Sequence, residues 1–440
     1  MQSYISKSMQ SYIVIGEGFM EYYPRVFDKI LEEYLEIVGA VVIVGPKWCG
    51  KTTTATRYAK SVLKLENQDN RKSHMLLADI KPSVLLEGEK PRLIDEWKIA
   101  PVMWDAVRTS VDKLSGYGLY ILTSSTSVDN SKIMHTGTGR FVRLIMMPMS
   151  LFESKESNGK ISIIDLFNNP NLNIDGIKSD LTIEGLIFAA CRGGWPDSLN
   201  RKTKKDQLAV PYNYLRNIYE NDISTIDGVK RDSKKVKSFL KAYARNISTI
   251  VKNTTLINDI KTNYSNITPN TFYNYRNVLE RLFVISNINS WNPNIRSKTS
   301  IKSISKKEFI DPSIAVAALN LNPKRLLHDL DTFEPIFENL CIRDLTVYTS
   351  PYGGEISYYS DKLGLEADCV IHLRDGRYCL IEFKLASFEI DSGAENLLKL
   401  KELIQKKGLK EPSFLAVVTG GEFAYTREDG VKVIPIGVLR

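Results

Sequence analysis

Residues 41–52 constrain this chain more than any other stretch: Val41-Val42-Ile43-Val44, then Gly45-Pro46-Lys47-Trp48-Cys49-Gly50-Lys51-Thr52. The β-branched run reads as a buried parallel strand. The loop keeps two glycines, lysine and threonine at the G-x-x-x-x-G-K-T spacing. The glycines let the backbone wrap closely round phosphate oxygens, with its amides pointing inward as an anion nest. Lys51 has the reach for the β- and γ-phosphates, and the Thr52 hydroxyl can ligate Mg2+. From Thr53 to Ala59 the chain reads as a helix whose N-terminus faces those phosphates. Gly45, Pro46, Lys47, Trp48, Cys49, Gly50, Lys51, Thr52 and Thr53 are therefore the candidate binding residues, and the cofactors they imply are ATP and Mg2+.

A chain of 440 residues holds more than one domain, and 43% hydrophobic with 25% charged residues is ordinary globular composition. No apolar run is long enough to span a bilayer, so no membrane contact is expected. The five cysteines form no C-x-x-C pair and no metal-ligand spacing, which predicts a reduced, cytoplasmic setting. The net charge of +8 is unevenly spread: residues 201–310 hold 21 Lys+Arg against 8 Asp+Glu, leaving −5 for the rest. A basic middle suits DNA as a partner, and it equally suits a solvated basic surface.

Upstream of the loop, Val26–Ile37 has helical spacing. Downstream, His74–Ile80 reads as a second strand, and Arg92-Leu93-Ile94 ends in Asp95-Glu96. An acidic pair closing a strand after a P-loop fits Mg2+ retention by Asp95 and polarisation of the attacking water by Glu96. The strand Gly118–Ser125 carries Thr123 at its C-terminal end, where ligands of open α/β sheets bind. Thr123 is the candidate γ-phosphate sensor. Arg140 is the candidate arginine finger, acting on a neighbouring subunit's nucleotide in a homo-oligomer.

Tyr23-Pro24-Arg25, Gly45–Thr52, Asp95-Glu96, Thr123–Ser125, Gly139-Arg140, Pro148-Met149-Ser150 and Arg192–Pro196 together resemble the AAA+ ATPases of archaea and bacteria. The resemblance covers nearly the whole chain. In that family the ATPase precedes a C-terminal region of unassigned function. The family usually carries a smaller residue at the position of Cys49, and Thr-Gly-Ser-Ser where this chain has Thr123-Ser124-Ser125-Thr126. By this resemblance Arg192 is the candidate lid arginine for the γ-phosphate.

Residues 157–183, rich in Asn, Asp, Gly and Ser, read as an extended loop. Helices are expected over Gln207–Asp222, Val236–Ile250, Thr254–Tyr264 and Thr268–Phe283. A hairpin of Val284–Asn289 with Ser303–Ile310, turning at Trp291-Asn292-Pro293, is expected to follow. Helix, short helix, helix, hairpin is the order of a winged helix. The third helix would bury Phe272, Tyr275, Leu279 and Leu282 and turn polar and basic residues to a DNA groove, or serve only for protein packing.

The C-terminal part pairs Gly364–Ile371 with Tyr378–Leu385 across an Asp375-Gly376 turn. Asp368 and the Glu382-x-Lys384 pair would meet there, with Glu382 and Lys384 on one face. Two carboxylates can hold Mg2+, and Lys384 can activate a water for phosphodiester attack. This arrangement resembles the PD-(D/E)xK nucleases, with Glu338 as the acid from the preceding helix. Ser392 is expected to cap a helix through Lys407.

The expected architecture is α/β: a AAA+ P-loop NTPase domain (1–155), a helical lid or connector (156–230), a winged helix (231–311) and a restriction-endonuclease-like domain (312–440). The expected activity is Mg-dependent ATP hydrolysis coupled to DNA contact, with catalytic Lys51, Glu96, Arg140 and Lys384 and metal ligands Thr52, Asp95, Glu338, Asp368 and Glu382. A nucleotide-switched regulator with an inactive nuclease-like domain is the alternative.

Overall fold

The computed structural model describes residues 12–15, 18–127, 137–264, 266–292, 304–362 and 364–440. They form two compact units, Met1–Met147 with Arg281–Phe283, and Pro148–Glu280 with Val284–Arg440.

The first unit starts with the antiparallel pair β1 (Tyr12–Ile15) and β2 (Gly18–Glu21). Helix α1 (Val26–Ile37) leads into β3 (Ala40–Val44), and α2 (Lys51–Tyr58) follows the loop. Next come β4 (Ser61–Lys64), α3 (Arg71–Ile80), β5 (Arg92–Asp95), α4 (Val102–Leu114), β6 (Tyr120–Ser124) and β7 (Phe141–Ile145). The sheet is parallel, in the order β4-β5-β6-β3-β7. Alternation along β3 supplies both faces. Val41 and Ile43 pack with Phe27, Ile30 and Leu31 of α1; Val42 and Val44 pack with Met103, Trp104 and Val107 of α4. Each such burial is worth about 1.5–3 kcal/mol. A sheet covered on both faces buries β3 and β6 at every position, whereas the edge strands β4 and β7 stay partly exposed.

The expected strand at His74–Ile80 is instead part of α3, and the strand beside β5 is β4. A short apolar run does not distinguish the two. Here Ala78 is buried and Met75 packs beside it on the same helical face, three residues back.

The second unit contains β8 (Ile177–Lys178), α5 (Ile183–Arg192), α6 (Lys204–Asn217), α7 (Ser233–Arg245), α8 (Asn253–Asn263) and α9 (Pro269–Arg281). It continues with β9 (Asn289–Ser290), α10 (Pro312–Leu319), α11 (Leu330–Thr349), β10 (Glu355–Ser360), β11 (Glu366–His372), β12 (Tyr378–Lys384) and α12 (Ile390–Lys406). It ends with β13 (Leu415–Thr419), β14 (Phe423–Thr426) and β15 (Lys432–Pro435). Its sheet runs β8-β14-β15-β13-β12-β11-β10-β9. β10, β11 and β12 are antiparallel neighbours, while β12, β13 and β15 are parallel. The turn that joins β11 to β12 holds the Asp375-Gly376 pair, with Gly376 in the left-handed region at φ +82°.

Segment 157–183 is not a plain loop. Its β8 pairs with β14, and Ile161 bridges Leu439, so it extends the C-terminal sheet. The hairpin after α9 is irregular: Ser286 N donates to Glu308 O, Ile288 pairs with Lys306, and its expected turn past Asn292 lies outside the described residues. Ser392 is inside α12 rather than its cap, donating its hydroxyl to Glu389 O. The Gly193-Gly194-Trp195 turn is a packing junction. A Cβ on Gly194 would stand 2.2 Å from Met149 O, and Gly194 N donates to Asp311 Oδ2, which also holds Arg343 at 2.9 Å. No helix of the described residues is long and apolar enough to cross a membrane.

Candidate functional site

The P-loop is built as its residues demand. Gly45 has φ +151° and Gly50 +103°, conformations that favour glycine. A Cβ on Gly45 would lie 2.3 Å from Met146 O on the adjacent strand end. Cys49 is buried and its thiol faces Met146 O at 3.5 Å, whereas Trp48 is exposed. Arg25, buried just ahead of α1, donates to Cys49 O at 2.8 Å and Met147 O at 2.7 Å. It ties the loop to the end of the sheet. The motif scan assigns Arg25 no role; its only sequence signal is the Tyr-Pro-Arg element.

Lys51 is buried, and its ammonium donates to the loop's own Gly45 O (3.0 Å) and Pro46 O (2.7 Å). Among the described residues it has no carboxylate in salt-bridge range, so an anion is the partner its charge lacks. Thr52 Oγ1 donates to Asp95 Oδ1 at 2.8 Å. Thr123 Oγ1 donates to the same oxygen at 2.6 Å and accepts from Glu96 N at 3.0 Å. β6 lies between β3 and β5, so its end reaches both loops. Thr123 therefore holds the acidic pair in place rather than presenting an uncommitted hydroxyl as a sensor. Glu96 sits in the left-handed region at φ +51°, a cost of about 1–3 kcal/mol that aims its carboxylate. Burial, then Glu66 and Asp95, push its carboxyl above the usual range, against the pull of Lys51.

These residues fit a nucleoside triphosphate with Mg2+. The loop amides and Lys51 would hold the phosphates, and Thr52 with Asp95 would hold the metal, which when bound neutralises phosphate charge. Thr123→Val removes both hydrogen bonds that organise the acidic pair. It is expected to lower kcat about 10–100-fold, the cost of roughly two neutral hydrogen bonds, with KM for ATP nearly unchanged. Steady-state kinetics in MgATP checks this; an unchanged kcat would show the positioning to be unimportant.

Arg140 and Arg192 are not brought to this cluster. Arg140 lies at the amino end of β7, opposite the P-loop edge, where Ala40 pairs with Phe141. Its guanidinium meets Asp112 at 2.7 Å. Arg192 is buried in the second unit, paired with Glu156 and donating to Gly193 O. A γ-phosphate contact would have to break that buried pair, which corrects its assignment as a lid arginine.

The second cluster lies in the C-terminal sheet. Asp368 on β11 and Glu382 with Lys384 on β12 do meet. Phe383 N donates to Asp368 Oδ2 at 3.0 Å, and Lys384 Nζ lies 3.2 Å from Glu382 Oε2. Between Asp368 and Glu338, however, stands a fifth residue. Lys306, from the strand after the hairpin turn, pairs with Glu338 and lies 3.3 Å from Asp368 Oδ1, with its side chain only 5% exposed. Burial opposes ionisation of Asp368, but Lys306 and Lys384 outweigh it and hold its carboxyl below the usual range. Burial, and then the charge of Asp368, push Glu382 up to about 9.

This arrangement does not fit a divalent ion. Two ammonium groups already face the carboxylates, one carboxyl keeps its proton, and a doubly charged cation would find no uncompensated charge. No group of three acidic, His or Cys residues among those described could hold a metal. The expectation of Glu338, Asp368 and Glu382 as metal ligands is corrected accordingly. Lys384, salt-bridged to Glu382, stays beside them. Lys306 escaped the sequence reading because its strand is separated from β11 by some sixty residues and its charge counted towards the basic middle.

Residues 38–155 match the AAA domain family. Residues 183–325 match a domain of unknown function, DUF8612, and residues 333–439 another, DUF4143. No curated protein matches the chain. One similar solved structure is the Walker-type ATPase of Pyrococcus abyssi, at 13% identity and a TM-score of 0.42, over 68% of this chain and 96% of that one. Another is a signal-transduction ATPase with numerous domains and a tetratricopeptide-repeat sensor from Pyrococcus horikoshii, at 12% identity and a TM-score of 0.25, over 76% and 49%. The parallel sheet, the P-loop and the AAA match agree: the first unit carries a P-loop nucleotide-binding domain of AAA type.

Proposed function

We propose that this protein binds ATP with Mg2+, hydrolyses it, and uses nucleotide state to alter a DNA contact made by its basic middle. The observation that carries hydrolysis is Asp95 Oδ1 accepting from both Thr52 and Thr123, with Glu96 anchored to the same threonine. That ties the phosphate loop to the residue that polarises water. Lys51 and the loop amides would hold the phosphates, and Glu96 would orient water in line with the γ-phosphorus. MgATP-dependent phosphate release is the test, with and without duplex DNA; no release in either would end this reading.

DNA contact is supported by the +13 balance of residues 201–310 and by the order α7, α8, α9 and hairpin, which suits a winged helix. α9 buries Phe272, Tyr275, Val278 and Leu279 and leaves Tyr273 exposed. Arg140 is proposed to act between copies. Its exposed pair with Asp112 is worth only about 0–1 kcal/mol, so a neighbouring subunit's phosphate could draw it away.

For the C-terminal sheet the buried Lys306 favours a nuclease-like domain that binds without cutting. Incubation of duplex, single-stranded and branched DNA with Mg2+ or Mn2+ is expected to leave all three intact. Metal-dependent nicking that Glu382→Ala abolishes would restore the nuclease reading.

A further inference from the structure

Beside the hairpin and unrelated to the two clusters above, a cavity of about 420 Å³ opens among Lys252, Asn253, Tyr273, Arg276, Ser305 and Lys307. Four elements build it. Lys252 caps α8, so the first amides of that helix, which lack helical partners, border the cavity. Tyr273 and Arg276 come from α9, and Ser305 and Lys307 from the strand after the turn. Lys307 is only 2% exposed, and its ammonium donates to Ser305 O at 2.9 Å and Ser305 Oγ at 3.3 Å rather than to a carboxylate. Arg276 meets one carboxylate, Glu280, at 2.9 Å. The lining therefore holds more positive than negative charge, converging from several elements onto one polar hollow.

We propose that this cavity is a phosphate pocket that seats a backbone phosphodiester of duplex DNA, with Arg276, Lys252, Lys307 and the amino end of α8 as its donors. The proposal rests on the DNA contact argued above and gives it an address. The chemistry is that of an anion site: a phosphate offers acceptor oxygens in several directions, and the hollow offers donors from several sides. Burial, and then the Arg276 guanidinium, push the Lys307 ammonium down to about 8, so a cation there is short of negative charge. The exposed Tyr273 edge sits where the adjoining sugar would lie, and its hydroxyl can donate to a second oxygen. Three cations beside one carboxylate are arranged for an occupant that brings charge with it.

The test uses the full chain without nucleotide and a short fluorescein-labelled duplex, with anisotropy read across about 50–200 mM salt. Lys252→Ala with Arg276→Gln is expected to weaken binding at least about 10-fold and to flatten the log–log salt slope by about one to two units, one per lost phosphate contact. Lys202→Ala with Lys205→Ala removes the same charge from exposed residues of the same segment outside the cavity, and should leave the slope near that of wild type. Lys307→Met, checked for folding by circular dichroism, should repeat the pocket phenotype. If wild type binds DNA and the pocket variants match it or match the remote control, the pocket falls and the DNA contact stands. If wild type binds no DNA at low salt, the DNA reading falls and this assignment with it. Calorimetry with inorganic phosphate separates a small anion: heat lost in the pocket variants without DNA binding would make the occupant a free phosphate and overturn the polynucleotide assignment.

Discussion

Lys51→Ala is expected to weaken ATP binding about 10–100-fold, whereas Glu96→Gln should leave binding intact and cut turnover about 10²–10⁴-fold. The two effects separate because the two residues touch different parts of the reaction. Lys51 is a buried ammonium bonded to two carbonyls of its own loop, a holding pattern that phosphate oxygens would replace with charge-assisted bonds. Removing it removes binding that the ground state and transition state share. Glu96 carries the raised carboxyl, so only its ionised form can accept a proton from water. Activity should therefore rise with pH through a carboxyl titrating above the usual range, and Glu96→Gln should lose that limb. Fluorescent-nucleotide titration measures the first effect and pH-resolved kcat the second. Equal turnover by wild type and Glu96→Gln would remove Glu96 from the mechanism.

The phosphate loop was legible because its chemistry is local. Gly45, Gly50, Lys51 and Thr52 lie within eight residues, and each conformation they need follows from residue type. Asp95 and Glu96 were legible for the same reason, as an acidic pair at a strand end. Thr123 was found but given the wrong job. Sequence shows a hydroxyl at a strand terminus; only the order β5-β6-β3 shows that it must reach sideways to Asp95. Arg25 shows the same limit, since a clamp on Cys49 O and Met147 O depends on residues about 120 positions apart. Helix α3 was misread because seven apolar-leaning residues satisfy either period, and the choice is made by what packs against Ala78. In the second unit, hairpin β11–β12 was legible from Asp375-Gly376, whereas the docking of 157–183 onto β14 was not. Loop-forming composition says nothing about which distant edge a short strand will cover.

Lys306→Ala should cost about 3–5 kcal/mol of local stability, the penalty for stripping one partner from a buried ion pair. The side chains concerned are 5% exposed for Lys306, 13% for Glu338 and 17% for Asp368, so solvent screens little of the effect. Native-state hydrogen exchange is the measurement, read on peptides from β11 and β12. The variant should exchange there about 10²–10³-fold faster, with the peptides of β3 and β6 unchanged because they belong to the other unit. The pH dependence follows from Asp368. Its carboxyl is depressed in the folded wild type, so its contribution is present above the unfolded value of about 3.9 and is lost as pH falls through the folded one. Without Lys306 the burial of Asp368 weighs more, its carboxyl rises, and the variant binds a proton more readily when folded. The defect should therefore be largest near neutrality and shrink as pH falls towards the carboxylate range. A companion variant, Lys306→Met with Glu338→Gln and Asp368→Asn, removes the charges together and should recover most of the loss, because uncharged groups leave no buried carboxylate unpaired. A small, pH-independent defect in Lys306→Ala would mean that solvent reaches these carboxylates and that the lysine is not their counter-charge. The cluster would then again be open to a divalent ion.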